Sequence, residues 1–138
     1  MTHPTILVAV TDIFFYTKVR DALRPHGYTL ERIRNQGEVA TKAASSNPAA
    51  LILNMNDLGV DAFTALETLQ TDPTWRSLPI LAFANHEEVE TWRRAKELGV
   101  TKIVSRNEFS ARTRELVEEV AANRSRPSAA GSEQNADC

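Results

Sequence analysis

The sequence predicts a doubly wound α/β domain, with five parallel strands alternating with five helices that cover both faces of the sheet. Three observations carry this reading. Apolar runs of strand length (TILVAV, YTLERI, AALILNM, LPILAFA and TKIVS) are separated by segments whose apolar residues recur at helical spacing. Apart from YTLERI, which alternates as a strand nearer the sheet edge does, these runs are almost continuously aliphatic, as for strands buried on both faces. The alternation is strict, and right-handed crossovers convert such an order into a parallel sheet.

Each element has its own signal. Thr5–Val10 is β-branched and ends in polar Thr11 and Asp12. From Ile13 to about Arg24, the residues Phe15, Val19, Ala22 and Leu23 form a helical stripe that Pro25 and Gly27 end. Tyr28–Ile33 is the second strand. Gly37–Ser46 follows as a helix whose small stripe, Val39, Ala40, Ala43 and Ala44, suits close packing. Ala49–Met55 is the most hydrophobic run and the central strand. Asp61 is placed to cap a helix with Phe63, Leu66 and Leu69 inward. Leu78–Ala84 is the fourth strand. The helix Glu87–Leu98 has acids in its first turn and bases later, matching the helix dipole, and Gly99 as its C-cap. Thr101–Ser105 is the fifth strand, and Ser110 is a cap candidate for a last helix with Leu116, Val117 and Val120 inward. Residues 1–122 form the predicted domain; residues 123–138 read as a polar tail without periodicity, of disordered composition.

Composition excludes several functions. With 138 residues there is room for one substantial core, and 42% apolar and 25% charged residues are ordinary for a globular protein. A net charge of −2 with dispersed Lys and Arg provides no nucleic-acid footprint. The single cysteine, Cys138, permits neither a disulfide framework nor a Cys-based metal site. No run is long enough to span a membrane and no signal peptide is evident, so a cytoplasmic location is expected. His3, His26 and His86 lack ligand spacing. VTDIFF stands where a Gly-rich phosphate loop would follow the first strand, and G-x-S-x-G is absent.

Three fragments in order, ILVAVTD followed by HGYTL, then NPAALILNMNDLGVDAFTALETLQTDPTWRSLPILAFAN, then AKELGVTKIVSRNEF, resemble the receiver domain of two-component response regulators over roughly Thr5 to Ala122. The resemblance implies a flavodoxin-like sheet in order 2-1-3-4-5. It also implies phosphorelay chemistry at the carboxyl ends of the strands. There, two acids hold Mg²⁺, an Asp accepts phosphate, a Lys pairs with it, and a hydroxyl and an aromatic respond. Placed on this chain, the acids fall on Val10 and Thr11, the acceptor on Asn54, the hydroxyl on Ala84, the Lys on Arg106 and the aromatic on Ile103. A neutral amide is a poor nucleophile, and Val10 has no oxygen for a metal. The resemblance is therefore to a degenerate form, a pseudo-receiver with its Mg²⁺ site lost and no cofactor or enzymatic activity expected.

The expected function is signal transduction by phosphorylation-independent contact with a protein partner, such as a signalling protein or kinase. The interaction face expected for it, on the fourth helix, fifth strand and fifth helix, is Trp92, Ile103 and Arg106, through which a homodimer is also conceivable. No nucleic acid or membrane partner is expected. Two alternatives stay open: a nucleotide- or flavin-binding domain using the altered cleft around Asp12, Asn54 and Arg106, and a regulator phosphorylated on a non-standard Asp, Asp12 or Asp57. Arg106 is expected to swing to solvent or to pair with Asp12. Of the adjacent rings Phe14–Tyr16, Phe15 is expected inward and Phe14 or Tyr16 partly exposed. Trp92 is either core or an exposed anchor, and Trp75 is expected to cover the lower sheet edge.

Overall fold

The computed structural model describes residues 4–73, 75 and 77–125. Strands β1 (Thr5–Ala9), β2 (Thr29–Arg32), β3 (Ala50–Asn54), β4 (Ile80–Ala84) and β5 (Lys102–Ser105) form one sheet. Its order is β2-β1-β3-β4-β5 and every pairing is parallel. This is the expected doubly wound architecture.

Helices α1 (Ile13–Leu23), α2 (Glu38–Ser46), α3 (Ala62–Gln70), α4 (Val89–Glu97), α5 (Arg106–Ala111) and α6 (Thr113–Ser125) cover the two faces. On one face, Val39 and Ala43 of α2, Leu66 and Leu69 of α3 and Ala95 of α4 bury against Leu7, Leu51, Leu53 and Ala82. On the other, Val19 and Leu23 of α1, Phe109 of α5 and Leu116, Val117 and Val120 of α6 bury against Ile6, Val8, Ile52, Leu81 and Phe83. The strands alternate their side chains between these two cores, which is why their sequences are aliphatic throughout. Each fully buried Leu or Ile contributes about 1.5–3 kcal/mol relative to exposure.

Several local expectations need correction. The last helical segment is two helices, α5 and α6, and Ser110 lies inside α5. The cap of α5 is Ser105, whose hydroxyl accepts from Glu108 N–H at 3.1 Å, so the chain turns into helix directly from β5. Among the described side chains of α2, Val39 and Ala43 are buried while Ala40 and Ala44 face solvent, because α2 touches the sheet along one narrow seam. Phe63 is half-buried under the Arg94 guanidinium, 4.0 Å from its ring centroid. The domain boundary expected at Ala122 falls within α6, which runs to Ser125. His3, Cys138 and residues 126–138 of the expected tail lie outside the described residues.

Asp61 caps α3 as expected, accepting from Thr64 N–H at 3.2 Å. Gly99 ends α4 with φ +93, and a Cβ there would stand 1.7 Å from Gln70 Nε2, the atom that donates to Leu98 C=O at 2.8 Å. The backbone conformation demands glycine, and a Cβ would also push the Gln70 amide off Leu98 C=O. Gly99→Ala is expected to lower stability by at least about 1–2 kcal/mol, read as a lower urea midpoint with an unchanged denaturant slope.

Candidate functional site

The sheet register collects the sequence-predicted positions at its carboxyl mouth. Ala9 is opposite Leu53, so Val10 arrives beside Asn54; Asn54 is opposite Phe83, and Ala84 is opposite Ser105, which leads directly into Arg106. Open α/β sheets bind their ligands in this crevice, where neighbouring loops diverge. Here Val10 is fully buried and apolar, and Asn54 is 5% exposed.

Into this mouth the β3–α3 loop folds back the carboxylate of Asp57. Asp57 Oδ1 accepts from Thr11 N–H at 2.8 Å and from the Asn54 amide at 3.5 Å. Its Oδ2 accepts from the Thr11 hydroxyl at 2.8 Å, Gly59 N–H at 2.9 Å and Val60 N–H at 3.1 Å. The carboxylate thus joins the end of β1, the end of β3 and the loop leading to α3. Asn54 Oδ1 is itself engaged by Asn56 N–H at 2.9 Å. Thr11 is held from the other side, its carbonyl accepting from Arg32 Nη2 at 2.8 Å. Gly59 is required by proximity: a Cβ there would lie 2.7 Å from Thr11 Cγ2. Asp57 lies in the loop three residues past Asn54, yet its side chain returns to the strand ends. The signal that would have found it is Asp-Leu-Gly, in which an Asp side chain turns back onto the N–H two residues ahead.

A second polar tie crosses to the β4–α4 loop. Asn56 Nδ2 donates to Glu88 Oε1 at 2.8 Å, and Asn56 Oδ1 accepts from Asn85 N–H at 3.2 Å. Glu88 also accepts from Asn85 Nδ2 at 3.3 Å and from the Thr91 hydroxyl at 3.2 Å. Hydrogen bonds from Asn56, then from Asn85, hold its carboxyl below the ordinary glutamate value.

Beneath the mouth on the α1 face three rings pack together. Phe83 and Phe109 stack at 4.5 Å and 18°, and Phe15 joins them at 5.1 Å and 5.8 Å. The Arg106 guanidinium lies 4.6 Å from the Phe15 centroid and 5.6 Å from that of Phe83. Arg106 therefore neither swings free nor pairs with Asp12. A weakly hydrated guanidinium prefers a ring face where no anion is in reach. Asp12 is occupied elsewhere: its exposed carboxylate caps α1, accepting from Phe14 N–H at 2.9 Å and Phe15 N–H at 3.3 Å. The unsatisfied N–H groups of the first turn capture it. Phe14 is 83% exposed, and Tyr16 is half-buried beneath Arg32, whose guanidinium is 5.3 Å from its centroid.

The expected interaction residues are divided by the sheet. Ile103 is buried in the α2–α4 core, and Trp92 packs on the edge of that core, half-buried, with its indole N–H donating to Asn85 C=O at 3.0 Å. Arg106 lies on the opposite side with Phe15. Trp75 packs against the same core as Trp92. His26 and His86 are exposed. Among the described residues no three His, Cys, Asp or Glu side chains are grouped to hold a metal ion, and no helix is long and apolar enough to cross a membrane.

No protein-family model matches the sequence, and no curated protein matches it. Solved structures do. The signal receiver domain of a signal transduction histidine kinase from Syntrophus aciditrophicus superposes with a TM-score of 0.79 at 17% identity, covering 96% of this chain and 98% of that one. The receiver domain of a sensor histidine kinase from Pseudomonas aeruginosa, with a magnesium ion coordinated in its active-site cleft, gives 0.76 at 14% identity over 88% of this chain and 99% of that one. A response regulator receiver domain from Bermanella marisrubri gives 0.76 at 14% identity over 86% and 98%. The likeness is one of fold: this chain has the flavodoxin-like receiver architecture.

Asp57→Asn replaces a carboxylate oxygen by an N–H donor that faces other donors. It is expected to cost about 1–3 kcal/mol in urea unfolding, whereas Asp21→Asn on the exposed face of α1 should stay within about 0.5 kcal/mol. For Glu88 the folded value is depressed, so its contribution is present above the ordinary glutamate range and is lost as pH falls through the lowered value. A carboxyl NMR titration should place the Glu88 midpoint below that of an unperturbed glutamate, and Asn56→Ala should move it upward.

Proposed function

We propose that this chain is a signalling domain of receiver type that acts by protein–protein contact, without phosphoryl transfer at the end of its third strand. The observation that carries this reading is the mouth itself: the β3 terminus bears the Asn54 amide, and the carboxylate that reaches it, Asp57, is consumed by donors from both strand ends and its own loop. An amide oxygen does not form an acyl phosphate. The residues present do not fit Mg²⁺ either, since Val10 is a buried hydrocarbon, Thr11 spends its hydroxyl on Asp57 and Asp12 caps α1. No enzymatic reaction is assigned, and a cytoplasmic location accompanies the reading. A nucleotide or flavin in the mouth is disfavoured, because the Thr11 hydroxyl and the Asp57 carboxylate that would contact it are bonded to each other.

We propose that partner docking uses the rim of α4 at the β5 edge of the sheet, where Val89 is 72% exposed and Trp92 half-exposed, since Ile103 is buried and Arg106 lies on the other side. Homodimerisation through the same face would be abolished by Trp92→Ala in sedimentation equilibrium.

One alternative has a specific observation behind it. The Asp57 carboxylate stands beside Asn54, so a phosphoryl group carried by Asp57 would still modify this mouth. Incubation of wild type and Asp57→Asn with acetyl phosphate and Mg²⁺, followed by intact mass, separates the readings. The expected result is that neither protein gains a phosphoryl group. An adduct on wild type that Asp57→Asn lacks would move the chemistry to Asp57, and an adduct on both would overturn the phosphorylation-independent reading altogether.

A further inference from the structure

A cavity of about 430 Å³ lies at the opposite edge of the sheet from the proposed docking face, between α1 and β2, lined chiefly by Tyr16, Arg20, Arg24, Tyr28, Thr29 and Leu30. Tyr16 and Arg20 of α1 and Arg24, the C-cap residue just past its end and still in right-handed helical conformation, are spaced one turn apart and form a single ridge. The only ion pair of Arg20 among the described residues is with its sequence neighbour Asp21, at 3.4 Å and largely in solvent, and Arg24 has none. Arg32 extends the basic character upward. It shares the α1 side of β2 with Leu30, lies over Tyr16, and its Nε is buried without a hydrogen-bond partner.

Among the described residues, the strand bordering the groove has a free edge. β2 is the terminal strand of the sheet. Thr29 N–H donates to Pro4 C=O and Ile33 N–H to Val8 C=O, both at 2.9 Å. In the alternation of a parallel ladder, the N–H and C=O groups of Leu30 and Arg32 then point away from β1. Such an edge accepts another strand unless something blocks it.

We infer that this groove takes an extended acidic segment of a partner protein, added to the edge of β2 as a sixth strand. The spacing agrees: side chains two apart on one face of a strand are about 6.8 Å apart, and Arg20 and Arg24 are about 5–6 Å apart at Cβ. Carboxylates at alternate positions would meet the two guanidinium groups while the backbone satisfies Leu30 and Arg32. The side chains between them would point to the opposite face of the sheet, away from α1. A peptide backbone supplies that repeating pattern of donors and acceptors and a mononucleotide does not. The inference is independent of whether the mouth is phosphorylated.

The test uses the full chain and a capped, fluorescein-labelled peptide of about nine residues alternating Glu and Val, long enough for one strand. Anisotropy should show saturable binding. Arg20→Gln/Arg24→Gln, with an unchanged circular dichroism spectrum and urea midpoint, should weaken it about tenfold or more, as expected for losing two charge-assisted contacts. A Gln-for-Glu peptide, and one N-methylated at alternate amides, should weaken it similarly. Amide exchange at Leu30 and Arg32 should slow when peptide is added. Undiminished binding to the double variant or of the N-methylated peptide, unchanged exchange at Leu30 and Arg32, or no binding up to about 1 mM would each overturn the inference. A fluorescent nucleoside monophosphate that binds wild type but not the double variant, where the peptide does not bind, would assign the groove to a small phosphorylated ligand instead.

Discussion

The structure turns on where one carboxylate goes. Asp57 leaves the loop after β3, returns to the sheet and accepts hydrogen bonds from Thr11, Asn54, Gly59 and Val60. In an open parallel sheet the strand ends are the least constrained part, since each loop leaves for a different helix. A carboxylate with several charge-assisted bonds is a strong way to tie them, because each such bond exceeds a neutral one. The position of Gly59 follows from it: the loop passes so close to Thr11 that no side chain fits. So does the orientation of Asn54, whose amide is turned to Asp57 and whose oxygen is turned to Asn56 N–H.

The remaining residues at the mouth form one consistent physical set. Arg106 faces the Phe15 ring. After β1 stand a buried valine and a threonine, one joining the α1-side core and the other binding the returning carboxylate. Each of these residues is either uncharged or provided with a partner. Buried and half-buried charges are expensive unless paired, so a cation with no anion in reach needs another kind of partner. The aromatic stack beneath Arg106 is a low-cost answer: it accommodates a guanidinium without requiring an anion in the crevice.

The fold was legible because its signals are long and redundant. Continuous aliphatic strands such as ALILN, separated by periodic helices, leave few alternatives, and the cap residues Asp61 and Gly99 were visible individually. The site was legible only as identities along the strands. Which residues stand at the mouth follows from register, but the destinations of Asp57, Asp12 and Arg106 depend on local competition. Asp12 lies next to the open N–H groups of α1 and is taken by them; Asp57 lies two residues before a glycine and bends back. Arg106 was the hardest, since its partner Phe15 is remote in sequence and is brought beneath it only by packing of α1 and α5 on the same face. The split of the last helix at Arg112 has little sequence signal, since both halves continue the same apolar period, and it shows in the backbone as the non-helical φ −132, ψ 34 of Arg112.

A mouth closed by its own side chains changes what a doubly wound sheet can offer a partner. Its two-state behaviour ordinarily depends on a ligand that binds one arrangement of the loops better than the other. Here the loop after β3 is tied to β1 through Asp57 and to the β4–α4 loop through Asn56 and Glu88, so a single arrangement is favoured from within. A ligand that shifted it would first have to displace several hydrogen bonds at once. On the proposed reading, recognition would fall to surfaces whose shape the mouth does not alter: the half-exposed rim of α4 on one side and, on the other, an edge strand beside a basic ridge. A scaffold of that kind would act by what it holds in place, with specificity residing in the side chains on its edges and helix faces.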